Sequence, residues 1–386
     1  MSITQLDKQY VANTYNRFPV EITHGRGSEC WDDAGKRYID MGSGIGVTAF
    51  GYADEAWQAA VTAQLGAVQH TSNLYYTEPC AELAQMLCQR TGMSKVFFAN
   101  SGAEANECAI KVARKYAADK KGEDYYVILT LQNSFHGRTL TTLAATGQDH
   151  FHKLFQPLTP GFVTIPANDV AALEVAVKEY PVAGILFECV QGEGGVLPLD
   201  KSYVQAIADV CAKEDILLMV DEVQTGNGRT GTLYAYEQFG IAPDVVTTAK
   251  GLGGGLPIGA CMMSKKCAGV LGYGDHGSTY GGNPVCCAGA LNVLSRIDDT
   301  LLEEVKQKSA YVFDRLSKAE GVKSVSGLGL MIGIECEKPV GEVLTACREA
   351  GVLALSAKTK LRLLPPLNIP MELLAEAIDI IMEALK

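Results

Sequence analysis

Five short apolar runs constrain the fold of this chain more than any other feature. They are KVFFAN (95–100), YYVILT (125–130), AGILFE (183–188), ILLMVD (216–221) and DVVTTA (244–249). A strand with one face in water alternates apolar and polar residues, whereas a strand covered on both faces stays apolar throughout. These runs barely alternate, so each predicts a strand buried on both sides. The segments between them carry helical spacing. In EPCAELAQMLCQRTG (78–92), Pro79 suits a first helical turn. Leu83, Met86, Leu87 and Arg90 then recur on one side, and Gly92 ends the pattern. Residues 101–122 predict a long helix that starts at Ser101 and stops at Gly122, and KSYVQAIADVCAKE (201–214) predicts another. Strands alternating with helices make an α/β chain around a mainly parallel sheet.

The texture changes after TYGGNP (279–284). A long helical stretch follows Pro284, and short strands (MIGIEC, VLALS, KLRLLPP) then mix with helices to the end. The expected division is an N-terminal arm or part of a small domain (1–60), a large domain (61–284), and a smaller α+β domain (285–386).

Composition excludes more than it identifies. A net charge of −11 over 386 residues disfavours nucleic acid and anionic membranes as partners. MSITQLDKQY lacks a basic stretch followed by an apolar one, so no signal peptide is expected. No apolar run reaches the roughly 20 residues of a membrane span. The 12 cysteines form no C-x-x-C pair, and Cys88, Cys108 and Cys211 lie in apolar periodic segments. They predict reduced, buried thiols and a cytoplasmic protein. His150 and His152 could share a strand face, but no cluster of carboxylates or cysteines accompanies them, so no metal is expected.

In open parallel sheets, ligands bind beyond the carboxyl ends of the strands. There the runs end in Ser101-Gly102-Ala103, in Glu188 with Glu193 soon after, in Asp221 with Gln224, and in Lys250. Each has an ordinary reading. A serine opening a helix is commonly just its cap. Asp221 could cap a helix or join an ion pair. Lys250 alone reads as a surface lysine at a strand tip. Together they read differently. Free N–H groups at a helix start hold an anion. A lysine in an apolar site loses proton affinity and becomes a nucleophile. A carboxylate at the end of an apolar strand is costly to bury unless paired. Phosphate anchor, nucleophilic lysine and buried carboxylate are the three requirements of pyridoxal 5'-phosphate.

Six motifs occur in order: NSGAEANE (100–107), SFHGRT (134–139), ECVQGEGG (188–195), DEVQTGNGRTG (221–231), TTAKGLGGGLPIGA (247–260) and STYGGNP (278–284). Together they resemble the class III (ornithine-type) aminotransferases, pyridoxal phosphate enzymes of fold type I, over nearly the whole chain. That fold has a large domain with a mainly parallel sheet and a smaller α+β domain. The resemblance implies that Lys250 binds the cofactor as a Schiff base and later moves the proton. Asp221 pairs with the pyridinium, Gln224 approaches the phenolic oxygen, and Val223 joins the cofactor contacts. Ser101, Gly102 and Ala103 hold the phosphate, and Phe135 stacks on the ring. Thr279 reaches the phosphate of a second subunit and Ser278 lies near the substrate, which implies a homodimer.

For substrates, the resemblance implies that Arg362 receives the α-carboxylate of glutamate. Glu193, counted with Lys250 and Asp221 among the catalytic residues, pairs with Arg362 when an ω-amino compound is bound. Arg138 holds the far carboxylate. The ordinary fate of such arginines is a surface ion pair. The implied reaction passes the amino group of N2-acetylornithine to 2-oxoglutarate, in arginine biosynthesis. Succinylornithine, ornithine and 4-aminobutyrate stay open as donors. Ala103 stands where many relatives have Thr, and Cys189 where a proline is frequent. GLGGGLP (251–257) reads as a close-fitting turn in which bulky side chains crowd the cofactor or a neighbouring subunit. GYGDHG (272–277) fits G-x-G-x-x-G, but no strand enters it and no helix leaves it, so it is not read as a dinucleotide site.

Overall fold

Seven strands form the central sheet of the computed structural model, which describes residues 2–386. In chain order they are β1 (Lys95–Ala99), β2 (Val127–Leu131), β3 (Phe162–Ile165), β4 (Val182–Phe187), β5 (Leu217–Asp221), β6 (Val245–Thr248) and β7 (Gly259–Met263). Their order across the sheet is β1-β7-β6-β5-β4-β2-β3. Neighbours from β6 to β3 are parallel, and β7 runs antiparallel to both β6 and β1.

The five apolar runs are five of these strands, and side-chain alternation explains their unbroken hydrophobicity. Leu217 and Met219 of β5 pack with the helix Gly102–Lys121 on one face. Leu218 and Val220 pack on the other with Tyr203 and Ile207 of the helix Lys201–Glu214. All four are essentially buried, and each such side chain contributes about 1.5–3 kcal/mol relative to exposure. The long helix starts where expected. Ser101 is its N-cap, accepting the Glu104 N–H at 3.2 Å, and Gly122 ends it. Gly92 likewise ends the helix Glu78–Thr91 in a left-handed conformation.

The C-terminal part differs from expectation in two places. The helical stretch after Pro284 is two helices, Pro284–Arg296 and Asp299–Leu316. Ile297 leaves helical geometry, and the Asp298 carboxylate caps the second helix by accepting the Leu301 N–H at 2.9 Å. VLALS also divides. Val352–Leu353 pairs in parallel with Arg37–Asp40 of the N-terminal segment, whereas Leu355–Ala357 turns to pair with Lys360–Leu363. His150 and His152 lie in and beside a short 3-10 turn rather than on a strand, and His152 Nε2 meets the Leu143 carbonyl at 2.9 Å. All twelve cysteines are unpaired, and Cys80 and Cys88 are only partly buried. Among the described residues no helix is long and apolar enough to cross a membrane, and no three His, Cys, Asp or Glu side chains cluster as a metal would need.

Glu222, just past β5, is fully buried. Its carboxyl accepts the Tyr236 N–H at 2.8 Å and the Thr225 hydroxyl. Burial, reinforced by the Asp221 charge, pushes its pKa up to about 7 against these hydrogen bonds. Between about 4.5 and 7 the folded chain therefore holds a proton that the unfolded chain releases, so stability falls as pH rises through that window. The loss from this one group is on the order of 3 kcal/mol. Glu222→Gln should flatten that part of the profile in urea unfolding at pH 5 and pH 7.5. Identical slopes for both proteins would show that Glu222 does not titrate there.

Candidate active site

The site grows from the end of β6. Thr247 and Thr248 are fully buried, and Ala249 leads into Lys250, which adopts φ +46° at the start of a 3-10 turn Lys250–Leu252. A lysine rarely takes this left-handed geometry, and such strain persists only where surrounding contacts fix it. The glycines that follow connect two adjacent antiparallel strands. Two of them are crowded by the chain itself. A Cβ on Gly253 would sit 2.1 Å from the Leu256 carbonyl oxygen, and one on Gly254 would sit 2.9 Å from Trp57 Nε1. The Trp57 indole N–H donates to the Gly253 carbonyl at 3.2 Å and fastens the turn. Gly255, Leu256 and Pro257 of the same turn also line the cavity described next.

Lys250 opens into a cavity of about 530 Å³ at the carboxyl end of the sheet. Ser101, Gly102, Ala103, Phe135, Arg138, Asp221, Val223 and Gln224 line it too, so the structure brings together most of the residues singled out from sequence. Burial holds the Lys250 ammonium below the usual lysine range, and the Arg362 charge acts in the same direction against Glu193 and Asp221. A lysine so placed reaches its neutral, nucleophilic form at a lower pH than a free one.

Asp221 is 3% exposed and fully engaged. Its Oδ1 accepts the Val223 N–H at 3.0 Å, and its Oδ2 accepts Asn106 Nδ2 and the His136 Nδ1 group, each at 2.8 Å. Asn106 is held in turn by the Thr247 hydroxyl, which donates to its Oδ1 at 2.7 Å. Both carboxylate oxygens are thus held by donors. Asn106 and His136 were given no role from sequence, although both lie in quoted motifs. The available signal was a polar Asn106 four residues after Gly102, one helical turn into a buried face. Glu188 sits deeper. Its two oxygens accept the N–H groups of Phe135 at 3.0 Å and Gly192 at 3.2 Å, tying together the loops on either side of the cavity. Burial raises its pKa to about 7, and the Asp221 charge adds to the shift.

The opposite end of the cavity suits an anion. Gly102 and Ala103 open a 20-residue helix whose first-turn N–H groups have no intrahelical partners. Only glycine fits at 102, since a Cβ there would sit 2.6 Å from Val223 Cγ1. Phe135 forms one wall, with the Arg138 guanidinium 5.7 Å from its ring centre. Phosphate donors, a planar wall, an anchored carboxylate and a lysine of lowered pKa surround one space, and this set fits pyridoxal phosphate.

Four residues lie off the cavity wall. Arg362, 3% exposed, donates through Nη1 to Glu193 Oε1 at 2.6 Å and to Gln224 Oε1 at 3.2 Å, while its buried Nε has no partner. Arg362 and Glu193 are thus joined behind Gln224, itself seated where a side chain on Gly192 would begin. Ser278 Oγ accepts Asn100 Nδ2 at 3.2 Å, which brings it to the start of the phosphate helix. Thr279 is exposed and lies outside this chain's own cavity.

The sheet, the lysine at the end of a strand and the carboxylate on the neighbouring strand define a pyridoxal-phosphate-dependent enzyme. The "Aminotransferase class-III" family model matches residues 10–385, and the chain belongs to that family. It is 53% identical to the acetylornithine aminotransferase of Haemophilus ducreyi, over 99% of this chain and 98% of that one. Among solved structures it resembles the ornithine aminotransferase of Toxoplasma gondii (TM-score 0.95, 32% identity, covering 99% and 94% of the two chains). It also resembles the N-acetylornithine aminotransferase of Stenotrophomonas maltophilia (TM-score 0.86, 34% identity, 99% and 98%). The chain is an aminotransferase, its cofactor is pyridoxal phosphate, and its substrates are an amino donor and a keto acid.

Proposed function

We propose that this enzyme transfers the δ-amino group of N2-acetylornithine to 2-oxoglutarate, yielding N-acetylglutamate 5-semialdehyde and glutamate in arginine biosynthesis. The observation that carries this reading is the pairing of buried Arg362 with partly exposed Glu193, in a chain that matches acetylornithine aminotransferases from end to end. One site must accept two unlike amino donors. Glutamate brings an α-carboxylate next to its amine, and N2-acetylornithine brings a methylene chain there. With Glu193 engaged, Arg362 is neutralised and the site tolerates the methylene chain. With Glu193 turned away, the guanidinium fork is free for a carboxylate. Arg138, at the exposed rim beside Phe135 and Phe151, takes the carboxylate at the far end.

Bound pyridoxal phosphate supplies the electron sink for breaking the C–H bond next to the transferred amine. Ser101, Gly102 and Ala103 anchor the phosphate. Asp221 would keep a proton on the pyridine nitrogen, and His136 and Asn106 hold Asp221. Phe135 and Val223 would hold the ring, and Gln224 would approach its phenolic oxygen. Lys250 Nζ would be the group that accepts and gives back the proton moved in that chemistry.

A second copy of the chain completes the site. Leu74, Tyr76 and Tyr273 are 86%, 104% and 111% exposed. These exposed apolar side chains support an interface there, and the exposed Thr279 would reach the partner's phosphate in this arrangement. The unpaired cysteines support a cytoplasmic location. Ornithine is the second reading for the donor, favoured by the likeness to the Toxoplasma gondii structure. Comparing N2-acetylornithine, succinylornithine, ornithine and 4-aminobutyrate as donors to 2-oxoglutarate, with the solution mass measured alongside, tests the proposal. N2-acetylornithine should have the highest kcat/KM, in a species of twice the chain mass. Preference for another donor overturns the substrate, and a fully active monomer overturns the shared site.

A further inference from the structure

We propose that Asn227 is a positioning residue that fixes the backbone from which Lys250 acts. Asn227 is 2% exposed and is not among the residues that line the cavity. Its Nδ2 donates to the Thr248 hydroxyl at 2.9 Å and to the Ala249 carbonyl at 3.1 Å. Its Cβ lies 3.3 Å from where a side chain on Gly251 would begin. One buried side chain thus bonds to the two residues before Lys250 and packs against the residue after it.

That segment needs holding. Ala249 has φ −165° and ψ −142°, and Lys250 follows at φ +46°. The turn's own bonds, Leu252 N–H to the Ala249 carbonyl at 3.0 Å and Gly253 N–H to the Lys250 carbonyl at 3.1 Å, close the turn but do not reach the Thr248 side chain. The upstream side, where the strand gives way to the left-handed residue, is held by Asn227. Asn227 itself adopts φ +57°, a conformation asparagine tolerates better than most residues. Its Oδ1 is buried without a partner, so the amide half that does not reach the Lys250 segment is unsatisfied. Buried amides are normally satisfied on both sides. An amide satisfied only toward Lys250 is explained by what its NH₂ group holds.

The inference rests on Lys250 being the residue that carries the cofactor and moves the proton. The step is sensitive to placement, since a misplacement of about 1 Å costs on the order of 10²-fold in rate. The test uses the holoenzyme with Asn227→Gly, which keeps the left-handed backbone and deletes the amide. A second variant, Thr248→Val, removes one of the two acceptors and leaves Asn227 in place. Three quantities are read: kcat, KM for both substrates, and the pH midpoint of the visible absorbance without substrate, which reports the Lys250 environment. Asn227→Gly should lower kcat about tenfold or more. KM should stay within roughly twofold, and the absorbance midpoint should move by roughly half a unit or more. Thr248→Val should move kcat and the midpoint in the same direction by less. Wild-type kcat and midpoint in Asn227→Gly overturn the proposal, as does a kcat loss that only follows the fraction of folded, cofactor-loaded protein. If Asn227→Gly does not fold, an unchanged midpoint in Thr248→Val overturns it. Absence of transamination by the wild-type enzyme would instead overturn the function proposed above.

Discussion

Lys250→Ala is expected to lower turnover of the amino donor with 2-oxoglutarate by about 10⁴-fold, the upper range for loss of a positioned general base. Two properties of Lys250 set this size. Its burial lowers the proton affinity of Nζ, so the neutral amine that must accept a proton is accessible at a lower pH than in a free lysine. Its backbone is fixed on a strand end, so Nζ swings from a constant origin. Alanine removes the amine and leaves the backbone problem unchanged, because any L-residue at φ +46° meets the same strain. The fold should therefore survive. The phosphate donors at Gly102 and Ala103 are untouched, so the variant should still bind the cofactor, but without a covalent link. Borohydride treatment followed by mass measurement checks this: the wild-type chain gains the cofactor mass on Lys250 and the variant gains none. Turnover above a tenth of wild type in the variant would remove Lys250 from the reaction.

What the sequence made legible follows from where the physics is local. The strands β2, β4, β5 and β6 were readable because both of their faces are buried and hydrophobicity is unbroken. Lys250, Asp221 and Ser101 were readable because each is the polar residue that stops such a run. β7 (Gly259–Met263) escaped notice because it is built of Gly, Ala, Cys and Met, with none of the β-branched residues that mark strands. It follows a glycine-rich turn that drew attention to itself. β3 is an edge strand of four residues and only partly covered. In the site, the contacts that define Asp221 and Arg362 are far apart in sequence. Asn106 and Asp221 are 115 residues apart, His136 and Asp221 85, and Glu193 and Arg362 169. Periodicity cannot report such pairs. The likeness to a family supplied Glu193 and Arg362, and geometry alone supplied Asn106 and His136. The glycines of GLGGGLP read as a close-fitting turn, and the long-range part of that fit, Trp57 against Gly253 and Gly254, has no local signal either.

Asp221→Asn is expected to lower turnover by about 10³-fold, the scale seen when a preorganised electrostatic contact to developing charge is removed. Its effect on structure should exceed that of Lys250→Ala. Asp221 accepts three hydrogen bonds, from Val223 N, Asn106 Nδ2 and His136 Nδ1, and it offers none. An asparagine has one NH₂ group, and either orientation points it at a donor. Turned toward Oδ1, it meets the Val223 N–H. Turned toward Oδ2, it meets the Asn106 amide and the imidazole. One buried donor at least loses its partner, at about 1–3 kcal/mol. His136 can escape by changing tautomer, since its Nε2 is buried without a partner, but Asn106 cannot. Its Nδ2 also holds the His136 carbonyl at 2.8 Å, and its Oδ1 already accepts from Thr247. The variant should therefore unfold at a lower temperature and keep little activity. Adding Asn106→Asp, which turns one opposing donor into an acceptor for the new NH₂ group, should recover part of the stability and none of the turnover. The charge opposite the pyridine nitrogen is then still missing from residue 221 itself. Melting temperature and kcat for the single and double variants separate the two effects. If turnover recovers along with stability, the contribution of Asp221 is packing and not charge.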